Sequence, residues 1–454
     1  HLFNERLFAN VTTLFSRYDY KLQFGNDYQN RFNWNSSISN FIFKPDFTWF
    51  VNAVNEVSFG GEIINYSFEP ANAVGITNGT SVDISLPRKY NMETSLFAGN
   101  SQKISPVLSL EYGIRYSQFR YLGPGESYTF NDTIPGKRRR LTSVTPFEKG
   151  KTIQQYGNLQ PRFSFKWQVY PTASIKGSYN RMVQYLHLIS NTTASNPLDV
   201  WTPSTKNIKP ELADQFTLGW FKDLDEDKNW ELSVEGYFRK TQNQVDYIDG
   251  ADLLINKLIE GDLLTGKGRA YGMEFYLQKK TGRLNGWLSY TLGRTELNIN
   301  GINSGKWYAA RYDQTHNLKV SGFYEINKRW SASANFVFTS GTPVTFPTSR
   351  FVVQNILIPY SFNDARNNVR LPAYHRLDLS FRLEGKTVRN GKPRKNTDYW
   401  VFGIYNVYAR KNPFSIYFSQ KDERTLTGLS QDAQATQLAI IGTFIPSVSY
   451  NFRF

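Results

Sequence analysis

The sequence predicts an antiparallel β-barrel that spans a membrane. Three observations carry this reading: clean alternation of apolar and polar residues, strands longer than those of globular sheets, and connections that switch between short and long. The alternation is plain in four segments. Leu108, Leu110, Tyr112, Ile114 and Tyr116 share one face of a strand, and Ser109, Glu111, Gly113, Arg115 and Ser117 share the other. Phe163, Phe165, Trp167 and Val169 alternate in the same way with Arg162, Ser164, Lys166 and Gln168. So do Leu377, Leu379, Phe381 and Leu383 with Arg376, Asp378, Ser380 and Arg382, and Val448, Tyr450, Phe452 and Phe454 with Ser447, Ser449, Asn451 and Arg453.

Alternation alone also fits a soluble sandwich or propeller, since each buries one face of a sheet. Strand length separates the cases: the alternating segments run about ten to fifteen residues, against about five or six in globular sheets. The connections point the same way. Short ones fall near Val51 to Asn55, Ser101 to Ile104, Tyr170 to Thr172, Lys280 to Arg283 and Ile326 to Arg329. Long ones fall near 70–87, 122–155, 185–211, 243–266 and 341–371, the asymmetry of tight periplasmic turns and large extracellular loops. No repeat of propeller or solenoid period occurs. The count is roughly sixteen strands, the first rising near Glu5 and the last descending to Phe454, with an even number as bacterial barrels require.

Composition agrees with one continuous barrel over residues 1–454, for no linker or shift of composition divides the chain. Aromatic residues make up 16%, with 34 Phe and 28 Tyr, yet mean hydropathy is −0.49, so apolar and polar residues must be interleaved. No stretch of roughly eighteen apolar residues occurs, which excludes a helical span. Cysteine is absent, which excludes disulfides and thiolate metal sites. The charge of +15 is scattered over strands and loops, and nucleic acid is not among the expected partners. Two basic runs stand out, Lys137, Arg138, Arg139 and Arg140, and Lys392, Pro393, Arg394 and Lys395. Each is read as a solvated loop, with contact to lipopolysaccharide phosphates as the alternative.

Enzyme signatures are missing: no Walker loop, no GxSxG elbow and no HExxH occurs, and His1, His187, His316 and His375 are too dispersed for a metal cluster. The expectation is a protein that is not an enzyme and has no cofactor. The acidic run Asp223, Asp225, Glu226 and Asp227 is read as a solvated periplasmic turn. Candidate substrate contacts lie in the long loops: Tyr185, His187 and Trp201 in one, and Trp307, Tyr308, Arg311 and Tyr312 in another. Aromatic faces beside hydrogen-bond donors suit a binding vestibule, and equally an interfacial girdle or loop packing.

Several stretches resemble a known family. Gln184 to Leu188 (QYLHL), Pro197 to Pro203 (PLDVWTP), Ile208 to Glu211 (IKPE), Ala270 to Glu274 (AYGME), Gly286 to Leu292 (GWLSYTL), Arg311 to His316 (RYDQTH) and Ile404 to Ala409 (IYNVYA) are similar to the barrel of TonB-dependent outer-membrane transporters. The resemblance implies a barrel of twenty-two strands closed by an N-terminal plug, with a TonB box that docks a TonB–ExbB–ExbD motor. It further implies that Tyr450, Phe452 and Phe454 present a signal to the barrel-assembly machinery. The present strands would then be the last sixteen. The chain starts at His1 without a signal peptide, and Arg6 to Phe15 already read as mid-barrel strand, so plug and early strands are expected upstream.

Three functions follow as expectations. The first is energised import of a bulky, scarce solute captured by the loops, in the outer membrane of a Gram-negative cell. The second is a passive sixteen-stranded porin. The third is a receptor-like scaffold whose loops grip a surface lipoprotein.

Overall fold

A computed structural model describes residues 1–25, 31–77, 80–131, 134–189, 200–253, 256–353, 356–360, 366–389, 391–394, 396–420, 424–425, 428–429 and 433–453. Among them, one sheet holds sixteen long strands and three short ones. The long strands are β1 (Leu7–Phe24), β2 (Arg31–Asn52), β3 (Asn55–Thr77), β4 (Lys89–Ser105), β5 (Leu108–Leu122), β6 (Thr152–Tyr170), β7 (Ala173–Gln184) and β8 (Glu211–Asp223). They continue as β9 (Trp230–Tyr247), β10 (Leu263–Lys279), β11 (Leu284–Ile299), β12 (His316–Glu325), β13 (Trp330–Thr339), β14 (Tyr374–Glu384), β15 (Thr397–Tyr405) and β16 (Ile445–Arg453).

Every long strand pairs antiparallel with the next in sequence, so the sheet is an unbroken meander. The strand Leu2–Asn4 pairs with the lower end of β1, and β16 is paired with β15. No described helix is long and apolar enough to cross a membrane; the strands do the crossing.

Register confirms the two faces. Leu108, Leu110 and Tyr112 of β5 stand opposite Trp167, Phe165 and Phe163 of β6, and Tyr112 and Phe163 are 43% and 41% exposed. The row continues elsewhere: Phe381 faces Phe402, Phe402 faces Val448, and Trp400 faces Tyr450. Large apolar side chains left bare on one face of a sheet are stable only against lipid. The opposite face carries Glu111, Arg115 and Ser117, and there Arg115 pairs with Glu62 of β3. Tyr450 and Phe452 lie on the bare face of β16, while Phe454 is outside the described residues.

Two details differ from the sequence reading. Strands run from 9 to 23 residues, because several continue above the apolar band. The segment expected as a loop at 70–87 is a case: β3 extends to Thr77 and Thr80–Ser85 folds back on it, Asn72 opposite Ser85. The short turn expected at Ser101 to Ile104 falls at 106–107, since Ser105 still belongs to β4 and its Oγ accepts the Val107 and Leu108 amides that close the turn. Both are polar segments whose alternation does not stop where the lipid does.

Candidate functional site

The long connections all leave one end of the barrel, and five of them line a cavity of about 1020 Å³. Its wall takes His187 from the β7–β8 connection, Asp246 and Asp249 from the end of β9 and beyond it, and Arg311 and Tyr312 from the β11–β12 connection. Arg366 comes from the β13–β14 connection and Phe418 from the β15–β16 connection. Glu211 and Arg239, at the upper ends of β8 and β9, form its floor towards the lumen.

Asp246 reaches this wall because of a bulge. Gln242 pairs with Lys267 and Gln244 with Gly266, so Asn243 is the extra residue, and it adopts a φ of 58°. One unpaired residue exchanges the two faces of a strand. Past the bulge, Gln244 and Asp246 line the cavity, although Lys240 and Gln242 lie on the lipid side.

Asp246 then anchors a buried ionic cluster. The Arg366 guanidinium donates to Asp246 Oδ1 at 2.9 Å, to Asp249 Oδ1 at 2.8 Å and to the Tyr247 carbonyl at 2.8 Å. It also lies 4.7 Å from the Tyr247 ring centre. Tyr308 donates its hydroxyl to the second Asp246 oxygen at 2.6 Å. The same residue, Arg366, exchanges backbone hydrogen bonds with the Asn303 side chain. Three connections are thus joined through one residue, Arg366. Burial with a carboxylate neighbour pushes the Tyr308 phenol well above its ordinary range, and the two carboxylates raise Arg366. The Tyr308 phenol and the Arg366 guanidinium therefore keep their protons at any physiological pH.

The β7–β8 connection folds inward. Its hairpin pairs Leu186–Ile189 with Val200–Pro203, and Lys89 at the start of β4 donates to Thr202 Oγ1 at 3.1 Å. Tyr185 stacks on Phe119 of β5 with ring centres 4.9 Å apart, and its hydroxyl meets Ser117 Oγ at 2.7 Å and accepts from Asn158 Nδ2 at 3.1 Å. Ser117 and Phe119 share the lumen face of β5, so the hairpin sits within the mouth of the barrel. His187, 3% exposed, lies 3.0 Å from Ser204 Oγ, and burial pushes its imidazole down to about 4, which leaves it neutral.

The seven residues singled out in the sequence therefore occupy four kinds of place. His187, Arg311 and Tyr312 line the cavity. Tyr185 and Tyr308 are buried behind it as hydrogen-bonded wall. Trp201, opposite Leu188, is not part of the lining. Trp307 stands outside: Ala309 pairs with Glu296, whose face of β11 is the lipid side, and two residues earlier Trp307 stacks 4.2 Å from the Arg269 guanidinium. Arg366, Asp246, Asp249, Glu211 and Arg239 were not anticipated. The basic run at 137–140 is also more than a solvated loop. Arg138 grips the buried Asp262 carboxylate at 2.7 and 2.8 Å, and Arg139 donates to the Glu260 carbonyl. No group of three or more His, Cys, Asp or Glu able to hold a metal occurs among the described residues.

A sheet of this kind, apolar outside, polar within and carrying long loops around a cavity at one end, defines an outer-membrane β-barrel receptor. Residues 3–407 match the family described as TonB dependent receptor-like, beta-barrel, and the chain belongs to that family. Among solved structures it is similar to the ferric yersiniabactin uptake receptor FyuA from Yersinia pestis, at 11% identity and a TM-score of 0.64, over 99% of this chain and 60% of that one. It is also similar to the ferric-catecholate import receptor Fiu from K12 E. coli, at 14% identity and a TM-score of 0.61, over 99% of this chain and 62% of that one. The siderophore receptor PiuA from Acinetobacter baumannii gives 14% identity and a TM-score of 0.62, over 100% of this chain and 62% of that one. The chain spans about three-fifths of the length of these neighbours. Curated protein sequences give no match.

Proposed function

We propose that this chain forms the barrel of an outer-membrane importer, which captures a bulky solute in the vestibule and releases it inward by a step energised through a TonB–ExbB–ExbD motor. The observation that carries the reading is the cavity of about 1020 Å³ lined by five long loops. Its volume lies at the upper end of what small-molecule sites use, and a general diffusion pore gains nothing from covering its mouth. The lining mixes Arg239, Arg311 and Glu211 with the aromatic faces of Tyr312 and Phe418, a surface suited to a large polar solute with flat parts. Membership of the family supports import over the porin reading. No bond of the solute is made or broken in this scheme. Assembly of the barrel through the machinery that reads its aromatic C-terminal strand belongs to the same proposal, and a receptor-like barrel whose loops grip a surface lipoprotein is the scaffold alternative.

The test uses cells bearing the full-length protein and radio-iron-labelled ferric yersiniabactin and ferric catecholates, the solutes in the names of the structural neighbours, followed by other bulky chelates. Dissipating the proton gradient should abolish uptake while surface binding persists. Arg311→Ala should weaken binding several-fold and leave the energy dependence intact. Uptake that continues without the gradient would remove the energised step. Absence of binding across the panel would favour the scaffold.

A further inference from the structure

The lipid-facing side of β7 to β11 carries a feature that transport does not use. The pairings place Arg181, Asp214, Lys240, Arg269 and Glu296 in one continuous row across five strands. One step towards the periplasm, the same pairings align Tyr179, Phe216, Phe238, Tyr271 and Arg294. The next step brings Leu218, Met273 and Leu292, bare like Phe216 and Phe238. A charged shelf therefore sits directly on the upper rim of the apolar band. Strand tilt makes such rows climb around a barrel. The band accordingly ends higher on β5 and β6, at Tyr116 and Leu159, and lower on β12, at His316, so Arg294 comes nearly level with Lys240.

The shelf is unbalanced. Asp214 is held by Arg181 at 2.8 and 2.9 Å and by the Tyr179 hydroxyl at 2.8 Å. Glu296, 4% exposed, accepts from Arg269 at 2.8 Å and from Arg294 at 2.7 Å, and Trp307 covers the outer face of Arg269. Two carboxylates thus face five cations, because Lys240 and Lys267 are exposed and form no ion pair among the described residues. Lys267 stands one step above Arg269, beside Gln242 and Asn298.

We infer that this shelf binds the phosphates of an anionic glycolipid of the outer leaflet, whose acyl chains lie against Phe216, Leu218, Phe238 and Met273 below. The geometry selects an amphiphile rather than a free anion: the cationic excess begins one row above exposed aromatic side chains, the level at which a headgroup meets its chains. Guanidinium groups that are already oriented by a carboxylate lose little freedom on taking a phosphate oxygen. The two lysines supply charge without fixed geometry.

The test uses the full-length protein in detergent micelles, with bisphosphorylated lipid A, the same lipid with phosphates removed, and inorganic phosphate as probes, and bound lipid read by native mass spectrometry. Bisphosphorylated lipid A should be retained at least fivefold better than its dephosphorylated form, and retention should fall as salt rises. The triple variant K240Q/K267Q/R294Q should lose that preference, while Lys137→Gln, on an exposed loop, should keep it. If the triple variant does not fold, Lys240→Gln and Lys267→Gln, which break no ion pair, carry the test singly. Equal retention of the two lipids would reduce the face to a greasy band, and displacement of lipid A by millimolar inorganic phosphate would make it a simple anion site. Either result, or an unchanged preference in the lysine variants, would overturn the inference and leave the transport proposal untouched.

Discussion

The wall of the barrel and the collar of loops above it obtain their order from opposite sources. In the wall, Leu108 to Tyr116 gain order from neighbours on adjacent strands and from lipid, and each position repeats the logic of the one two residues away. In the collar, Arg138 meets Asp262 across 124 residues of sequence, Arg366 meets Asp246 across 120, and Lys89 meets Thr202 across 113. Among the described residues the wall buries nothing charged on its lipid side below the rim, whereas the collar buries charge and closes it with hydrogen bonds. Even its backbone packing is specific. Gly136 and Gly301, on different loops, both adopt positive φ, and a Cβ on Gly301 would stand 2.2 Å from the Gly136 nitrogen. The difference predicts that collar and wall can be damaged separately.

The largest separate effect is expected at Arg366. Arg366→Ala leaves Asp246 and Asp249 buried without their cation, a change that costs about 3–5 kcal/mol in comparable sites. The loss should be confined to the three connections that Arg366 joins. Hydrogen exchange should accelerate over 246–262 and 300–309 and stay unchanged in β5 and β6. Equal acceleration in the wall would show that the two regions unfold as one.

Acid should loosen a second part of the collar. The His187 imidazole sits at about 4 when buried, against 6.5 when free, so the undocked hairpin binds the proton more readily than the docked one. Docking is fully stable above pH 6.5 and weakens as pH falls towards 4, by about 3 kcal/mol in total for a shift of this size. Exchange of the Leu186–Ile189 amides, corrected for intrinsic rates, should therefore rise between pH 7 and pH 4.5 relative to β5. His187→Gln should flatten that dependence. A pH effect that survives the substitution would place the sensor elsewhere.

The wall has its own counterpart. Leu218 is 60% exposed between Phe216 and Trp220 on the lipid side of β8. Leu218→Arg should cost about 2–4 kcal/mol in a bilayer if it lies at the midplane. Unfolding by denaturant from vesicles would measure it, and vestibule binding should survive wherever the barrel still forms. Arginine tolerated at no cost there would contradict the lipid-facing assignment of the whole row.

The sequence made these two regions legible to very different degrees, and the reason is physical. Alternation at Leu108 to Tyr116 is a local signal, and so is the end of a strand at a two-residue turn. Sixteen strands could be counted from such signals, together with the resemblance carried by stretches such as Arg311 to His316. The vestibule was not readable in the same way. Tyr185, Tyr308 and Trp307 have the residue types of a binding surface, but the same types serve as packed wall and as interfacial aromatics, and only position decides. Trp307 is placed outside by its spacing from Ala309, and Asp246 is turned inward by one bulged Asn243. Arg366 carried no local sign, since its carboxylate partners lie more than a hundred residues away.

Tyr185 offers the smallest and most discriminating test, because it touches both regions. Its ring rests on Phe119 of the wall, and its hydroxyl is shared with Ser117 and Asn158, which face the lumen from β5 and β6. Gln160 donates to the same Ser117 hydroxyl at 2.8 Å, so Ser117 keeps one partner when the phenol is removed. Tyr185→Phe should therefore cost only about 1 kcal/mol, the usual net worth of a buried hydrogen bond. Tyr185→Ala also removes the stacked ring and should cost about 3–5 kcal/mol. If the hairpin docks through this residue, both variants should raise exchange over Leu186–Ile189 in that order, with β5 quiet in the first and affected near Phe119 in the second. The Phe variant should leave solute affinity unchanged, since its lost hydroxyl points into the wall and not into the cavity. A Phe variant that binds solute several-fold more weakly at unchanged hairpin exchange would instead make Tyr185 a direct contact, and the boundary drawn here between wall and vestibule would have to move inward by one residue layer.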